Sequence, residues 1–305
     1  MAITKWDEYL IHQTYDTIDA GEVEVDRLYL SCHNTDGTLH LAMGLGSYPQ
    51  ANIMDGYICV RHENRQHNLR LSRHLQGDRA DTQIGPLSVK VIEPLKQWGL
   101  YLDDNDYGIR CSLEFKARSP IYTHKPSMIP FVHYNQMGRY AGSITLGSRQ
   151  FNADGFIGAR DRSWRAWFSK NPAVKSGHCL ILAHFTDFCL SLAGVPLWEG
   201  PEPSWGAAIL HDDGSIIPIT EMYHRIEFHP KVRSLTKLNL LLKDADGKER
   251  YVTAQPISPA IYFTGACYDR EGEDKGAFSM EGEQWDVSQP IDVDSPRIGQ
   301  NGMSV

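Results

Sequence analysis

Side chains that could bind a ligand or take part in catalysis are most densely clustered between residues 160 and 167 of this sequence. Arginines, an aspartate and two tryptophans share that stretch: Arg160, Asp161, Arg162, Trp164, Arg165 and Trp167. A guanidinium can pair with a carboxylate and also stack on an indole ring, and both interactions strengthen in a partly dry site. The stretch therefore favours a binding or catalytic site. A structural Asp–Arg clasp, with the tryptophans closing one end of a barrel, is the alternative.

Asp187 is the second candidate. It lies within a run that is apolar on both faces when read as a strand, from Leu180 to Leu190. An ionised, unpaired carboxylate is costly in such a setting, so we expect Asp187 to be protonated or paired with an arginine. A protonated buried carboxyl is a ready general acid, whereas a salt link would only hold the fold. His184, three positions earlier, should face the opposite side of the strand.

The segment from Arg118 to Tyr140 supplies the third group. It is rich in Pro, His, Tyr and Met and lacks clean alternation, which predicts a long irregular loop of the kind that often carries function. Tyr122, His133 and Tyr134 could close over a ligand and bind its polar end, and His124 and Asn135 lie in the same segment. An ordinary surface loop is the alternative.

Short alternating segments predict the elements that must position these residues. One example runs from Asp26 to His33, meets a turn at Asn34–Gly37 and continues to Gly44 as a hairpin. Strands at such spacing indicate an all-β sandwich or barrel. Only the stretch 161–168 could hold a helical turn or two. With 305 residues, the chain predicts two β domains, 1–150 and 151–305, with a ligand cleft where they meet.

Composition excludes several function classes. A net charge of −8 and a pI of about 5.9 argue against a nucleic-acid surface, which is normally basic. No apolar run approaches the roughly 20 residues of a membrane helix, and we read no secretory signal at the start. The six cysteines form no CxxC pair, which favours reduced core thiols in the cytoplasm.

No cofactor or metal is expected. The sequence contains no P-loop, no GxGxxG after a strand, no GxSxG elbow and no HExxH. The spacing of its histidines and cysteines does not match a metal site.

Several motifs together resemble the AttH and carotenoid-1,2-hydratase-like (hydroxyneurosporene-synthase-like) group of lipocalin-related proteins. The motifs are Trp6-Asp-Glu8, Gly46-Ser-Tyr-Pro49, Asp55-Gly-Tyr57, Ile84-Gly-Pro86 and, most specifically, Gly158-Ala-Arg-Asp-Arg-Ser-Trp164, with His178 to Asp187 behind it. The resemblance implies a calycin-type fold of two lipocalin-like β-barrel or sandwich domains packed side by side. It also implies apolar, often isoprenoid or polyketide, ligands and enzymes that hydrate or cyclise alkenes without metal or nucleotide.

The resemblance also assigns residues. In the carotenoid hydratases an Asp two positions after an aromatic protonates the alkene, and Phe185-Thr-Asp187 fits that pattern. Arg162-Ser-Trp164 stands where a His-x-Trp motif is expected, so Arg replaces His, as Phe replaces Tyr before the Asp. An arginine near Asp187 would favour the carboxylate, which would make that residue a base or an ion stabiliser.

These considerations give one predicted site and three functional hypotheses. The predicted catalytic residues are Asp187, Arg162 and Asp161, and the predicted substrate-binding residues are Trp164, Trp167, Phe185, His133, Tyr134 and Tyr122. The first hypothesis is a cofactor-independent lyase or cyclase acting on a terpenoid, steroid-like or aromatic alkene. The others are a non-catalytic carrier of an apolar ligand and an accessory subunit of a transport or biosynthetic complex. The expected partner is an apolar small molecule, and a homodimer is possible.

Overall fold

The protein is nearly all β. Its computed structural model describes residues 3–9, 23–49, 51–75, 81–124, 131–166, 178–196, 206–232, 234–263 and 273–291. These ranges hold nineteen strands and one short 3₁₀ helix, Lys5–Glu8. The predicted all-β class is confirmed. Within the same ranges, no helix has the length and apolar character that a membrane crossing needs.

Thirteen strands form the first sheet. They are β1 (Val23–His33), β2 (Leu39–Tyr48), β3 (Ile53–His62), β4 (Arg65–His74), β5 (Gln83–Ile84), β6 (Leu87–Glu93), β7 (Gln97–Leu102), β8 (Ile109–Ala117), β9 (Tyr122–Thr123), β10 (Phe131–Leu146), β11 (Arg149–Asn152), β12 (Phe156–Ala166) and, from much later in the chain, β19 (Phe278–Asp286). The main path runs β19-β4-β3-β2-β1-β12-β10-β8-β7-β6-β5, and β9 and β11 pair with β10.

This sheet curls into a nearly closed barrel. Its β5 end returns to the β4 side, where Arg73 donates hydrogen bonds to the carbonyl oxygens of Gln83 and Asp81, each at 2.6 Å. Large apolar residues fill the interior, including Leu30, Trp98 and Phe115, all fully buried. The interior is therefore a packed core into which any polar group must bring its own partners.

The second sheet has the order β13-β14-β15-β16-β17-β18 and curls into a half-barrel. Its strands are β13 (His178–His184), β14 (Cys189–Pro196), β15 (Gly206–Leu210), β16 (Ile216–Phe228), β17 (Leu235–Asp244) and β18 (Glu249–Ala254). Cys189, Ala208 and Leu210 pack against Met137 and Ala159 of the first sheet. β10 and β12 are thus covered by the barrel core on one face and by the second sheet on the other.

The burial of each strand explains why an alternation of apolar and polar residues predicts some strands and not others. In β8, buried and exposed residues alternate strictly through its first eight positions, because one face is solvated. β2 is buried at every position. There Met43 faces the barrel core, while Ala42 packs beneath Tyr57 and Phe263 on the outside.

Two local expectations are wrong. Residues 131–140 belong to β10 rather than to a long loop, and residues 161–166 belong to β12 rather than to a helical turn. β11 and β12 both belong to the first sheet, and β13 is the first described strand of the second sheet. The division into domains 1–150 and 151–305 stays a prediction, as do the cytoplasmic location and the homodimer. Four cysteines, Cys32, Cys59, Cys111 and Cys189, are buried free thiols, as expected.

Candidate functional site

β12 presents chemically capable side chains on both of its faces, because successive residues of a strand point to opposite sides. Arg162 lies opposite Leu28 of β1 and Tyr134 of β10, and these residues face the barrel interior. Asp161 lies opposite Asn135 and faces the second sheet. Two separate polar groups result, one on each face.

The first group lies inside the barrel and is centred on an ion pair between Glu8 and Arg160, whose side chains are fully buried. Glu8 accepts hydrogen bonds from Arg160 at 2.9 and 3.1 Å, from Trp98 Nε1 at 2.7 Å and from the Tyr134 hydroxyl at 2.6 Å. Arg160 also donates to Gln136 Oε1 at 2.8 and 3.0 Å, and its guanidinium lies 4.6 Å from the centre of the Trp98 ring. We call these five residues the Glu8–Arg160 network.

Arg162 forms a second buried ion pair on the same face. Its partner is Asp26, with Nη2 donating to Oδ2 at 2.9 Å, and the guanidinium lies 5.4 Å from the centre of the Trp164 ring. Burial lowers the pKa of Arg162 to about 9, against the opposing effect of Glu8 and Asp7. The carboxylate that neutralises Arg162 is therefore Asp26 and not Asp187.

The second group lies on the other face of β10 and β12, between the two sheets. Asp161 Oδ2 is 3.5 Å from His133 Nε2, and the His133 ring stacks on His124 with 4.8 Å between ring centres. Tyr122 meets the His124 ring edge-on at 5.1 Å, and Asn135 Nδ2 hydrogen-bonds to His124 Nε2. We call these five residues the junction cluster.

Burial in the junction cluster is graded. His124 is 3% exposed, whereas the side chains of His133 and Asp161 are 8% and 15% exposed. Burial, aided by the neighbouring His133, lowers the pKa of His124 to about 2, so that this ring is neutral at physiological pH. Burial also raises the pKa of the Tyr122 hydroxyl, which keeps its proton.

The Asp161–His133 pair can transfer protons. A carboxylate beside an imidazole orients the ring and stabilises its charged form, so the ring can accept a proton from one reacting group and return it to another. Among the described residues, no group of three or more His, Cys, Asp or Glu side chains is placed to hold a metal ion.

The structure separates the predicted site residues that it describes into three places. Asp161, His133 and Tyr122 meet in the junction cluster. Arg162, Trp164 and Tyr134 gather inside the barrel, where the Tyr134 and Trp164 rings are 6.3 Å apart. Phe185 stacks on Phe188 at 4.6 Å at the end of β13. Trp167 lies outside the described residues.

Asp187 requires a correction. The apolar run that contains it is a hairpin, in which β13 ends at His184 and β14 begins at Cys189, so Asp187 lies in an exposed turn. The Phe185 N–H donates to the Phe188 carbonyl at 2.9 Å and closes that turn. Aspartate is a favoured turn residue because its short side chain binds nearby backbone. The prediction that Asp187 is a buried strand residue is wrong.

Sequence reasoning missed three residues that organise the barrel interior, Glu8, Asp26 and Trp98. Glu8 belongs to the Trp6-Asp-Glu8 motif, to which the family resemblance assigns no role, and it meets Arg160 across 152 positions of sequence. An acidic residue next to an aromatic near the start of a chain was the available signal. Asp26 begins the alternating segment in the sequence, where a carboxylate normally indicates a solvated end, so the pattern offers nothing to single it out.

A comparison with protein families gives a clear match. The sequence model of a family described as being of unknown function (DUF8625) matches residues 3–186. The chain belongs to this family. The DUF8625 match includes β1 to β12, the Glu8–Arg160 network and the whole junction cluster, so both polar groups lie within the matched part of the chain.

Two solved structures illustrate how the DUF8625 chain compares with known folds. The crystal structure of CghA with Sch210972 has 11% identity and a TM-score of 0.47, over 80% of this chain and 79% of that one. Kievitone hydratase from Nectria haematococca has 11% identity and a TM-score of 0.37, over 78% and 74% of the two chains. A search of curated proteins finds no match. At these values the activity has to be argued from the site itself.

Proposed function

We propose that the protein is a cofactor-independent hydratase, dehydratase or cyclase that acts on an apolar small molecule containing an alkene. The observation that carries the proposal is the Asp161–His133 pair, a proton-transfer group held between the two sheets at the end that retains some access to solvent. The terpenoid, steroid-like or aromatic nature of the substrate rests on the family resemblance in the sequence.

His133 is the proposed acid and base. Adding water across an alkene moves one proton onto carbon and removes one from water, and a single imidazole can do both in turn. Asp161, 3.5 Å away, stabilises the imidazolium form between the two steps. General acid–base help of this kind contributes about 10²–10⁴-fold to a rate.

The proposal moves the acid from Asp187 to the junction cluster. It also gives Arg162 and Trp164 a structural role, because Arg162 is neutralised by Asp26 inside the barrel. Phe185 and Trp167 stay predicted substrate-binding residues. A non-catalytic carrier would need no buried proton-transfer pair, and none of the described contacts favours that hypothesis.

The test is a water-addition assay with purified protein. A panel of terpenoid and arylalkene compounds is incubated in H₂¹⁸O, and ¹⁸O incorporation is followed by mass spectrometry. We expect incorporation with wild type and at least a 10²-fold loss with His133→Gln. His74→Gln is the matched control, because His74 forms only a half-exposed ion pair with Asp274. Compounds that bind wild type but return unchanged, with neither water addition nor isomerisation, would contradict the proposal and support the carrier.

A further inference from the structure

The proton on the neutral His124 ring has a defined position. Asn135 Oδ1 lies 3.1 Å from the Ser191 hydroxyl, which can donate to it, and the Asn135 amide nitrogen faces His124 Nε2. An amide N–H can only donate, so in this arrangement His124 Nε2 is the acceptor and carries no proton. The ring is therefore protonated at Nδ1.

His124 Nδ1–H is a buried donor. Nδ1 has less than 1 Å² of exposed surface and no hydrogen-bond partner among the described residues. Leaving a buried donor unmatched costs about 1–3 kcal/mol, so such a group in a folded protein calls for an explanation, and a catalytic role is one. The donor lies on a ring stacked against His133, the proposed acid and base.

We propose that His124 binds the carbonyl oxygen of a substrate whose alkene is conjugated with that carbonyl. This inference rests on the proposed function and names its substrate class. The carbonyl oxygen and the far alkene carbon lie at the two ends of one conjugated unit. Two stacked rings with centres 4.8 Å apart can address both ends together. A neutral imidazole N–H suits this task, because it stabilises negative charge on oxygen without giving up its proton.

The step balances with water as the only co-reactant. His133 takes a proton from water while the water oxygen bonds to the β-carbon. The alkene electrons move through the conjugated unit onto the carbonyl oxygen, and His124 stabilises the resulting enolate. The His133 imidazolium then returns its proton to the α-carbon, and the carbonyl re-forms. The product is a β-hydroxy carbonyl compound, and dehydration is the same path in reverse.

The tautomer is tested first, without a substrate. Long-range ¹H–¹⁵N NMR of ¹⁵N-histidine-labelled protein reports which ring nitrogen carries the proton, and His124→Phe assigns the signal. We expect protonation of His124 at Nδ1 at pH 7. Asn135→Asp should move the proton to Nε2, because a carboxylate accepts where the amide donated. Protonation at Nε2 in wild type would overturn the inference.

The substrate class is tested with two probes that differ only in the carbonyl group. They are 4-phenyl-3-buten-2-one, a conjugated ketone, and 1-phenylpropene. Water addition to the ketone should be at least 10²-fold faster, and His124→Phe should reduce that preference by about 10²–10³-fold, the usual cost of losing such a donor. His124→Gln, which keeps an N–H group, should retain part of it. His74→Gln should change neither rate.

The failure of this inference can be told apart from that of the proposed function. If wild type hydrates both probes equally and His124→Phe affects neither, the carbonyl inference is wrong and the proposed function stands. If wild type hydrates neither probe, binding of 4-nitrophenol tests the inference instead, because absorbance distinguishes the phenol from the phenolate. Binding that favours the phenolate in wild type and is lost in His124→Phe would support a site at His124 that binds a negatively charged oxygen. The absence of such binding would overturn the inference.

Discussion

Two buried polar groups on opposite faces of β12, the Glu8–Arg160 network and the junction cluster, differ in character. In the Glu8–Arg160 network, both oxygens of Glu8 accept at least two hydrogen bonds, and Arg160 donates to both Glu8 and Gln136. In the junction cluster, His124 keeps a donor without a partner in the described part of the chain, and the Asp161–His133 distance is 3.5 Å. Polar groups whose hydrogen-bonding capacity is fully used stabilise a fold. Groups with a donor or acceptor left over can still bind a ligand or transfer a proton. A high density of charged residues in the sequence does not distinguish these two kinds of polar group.

The largest expected effect is on turnover and lies in the junction cluster. Asp161→Asn removes the charge that stabilises the His133 imidazolium, so water addition should fall by about 10²–10⁴-fold. Asparagine is nearly the same shape, so the loss in the free energy of unfolding should stay below the roughly 3–5 kcal/mol of a broken buried ion pair. Steady-state rates and urea unfolding of the same preparation measure both quantities. A variant with wild-type turnover would remove the contrast between the faces.

The next effect is on stability and lies in the Glu8–Arg160 network. Glu8→Gln leaves Arg160 as a buried charge without its counter-ion, which should reduce the free energy of unfolding by about 3–5 kcal/mol. Replacing both residues, as Glu8→Leu with Arg160→Met, should cost less than the sum of the two single changes. Urea unfolding of the three variants provides the measurement. Additive losses would show that the two residues do not act as a pair.

Acid should weaken the folded state through histidines that are buried in their neutral form. Burial lowers the pKa of His40 to about 3 and that of His124 to about 2. When the chain unfolds below pH 6.5 both take up protons, so stability is full above that pH and is lost as the pH falls toward the folded-state values. Each contributes about 1.4 kcal/mol per pH unit in this window.

Thermal or urea unfolding between pH 5 and pH 7 checks this slope. His124→Phe should remove one part of the slope and leave the part due to His40. An unchanged slope in that variant would mean that His124 is charged in the folded protein.

The smallest effect is expected at Asp187. Its side chain is exposed in the β13–β14 turn, and exposed positions of this kind usually change stability by no more than about 0.5 kcal/mol. Asp187→Asn should therefore leave both turnover and unfolding within error of wild type. A loss of turnover comparable with that of Asp161→Asn would return the acid to the position suggested by the family resemblance.

The sequence was informative wherever one face of a strand is solvated. The alternation in β8 predicted a strand, and the density of such segments predicted the all-β class. The site is harder to predict from the sequence, because residues 161–166 are also compatible with a helical turn. As a strand, the same residues require Asp161 and Arg162 to face opposite ways. The pairing of Glu8 with Arg160 could not be predicted, since no local pattern reports a contact across 152 positions.

The position of β19 near the end of the sequence determines when β4 can gain its pairing partner during synthesis. β19 pairs with β4 from Arg65 to Arg73, which is all of that strand except its last residue, although about 200 residues separate the two strands. At the usual synthesis rate of about 5–20 residues per second, β4 waits roughly 10–40 s for its partner to be synthesised. During that time β4 is an open sheet edge, able to pair with other chains. Slower synthesis should therefore lower the soluble yield of this protein more than that of a barrel closed by neighbouring strands.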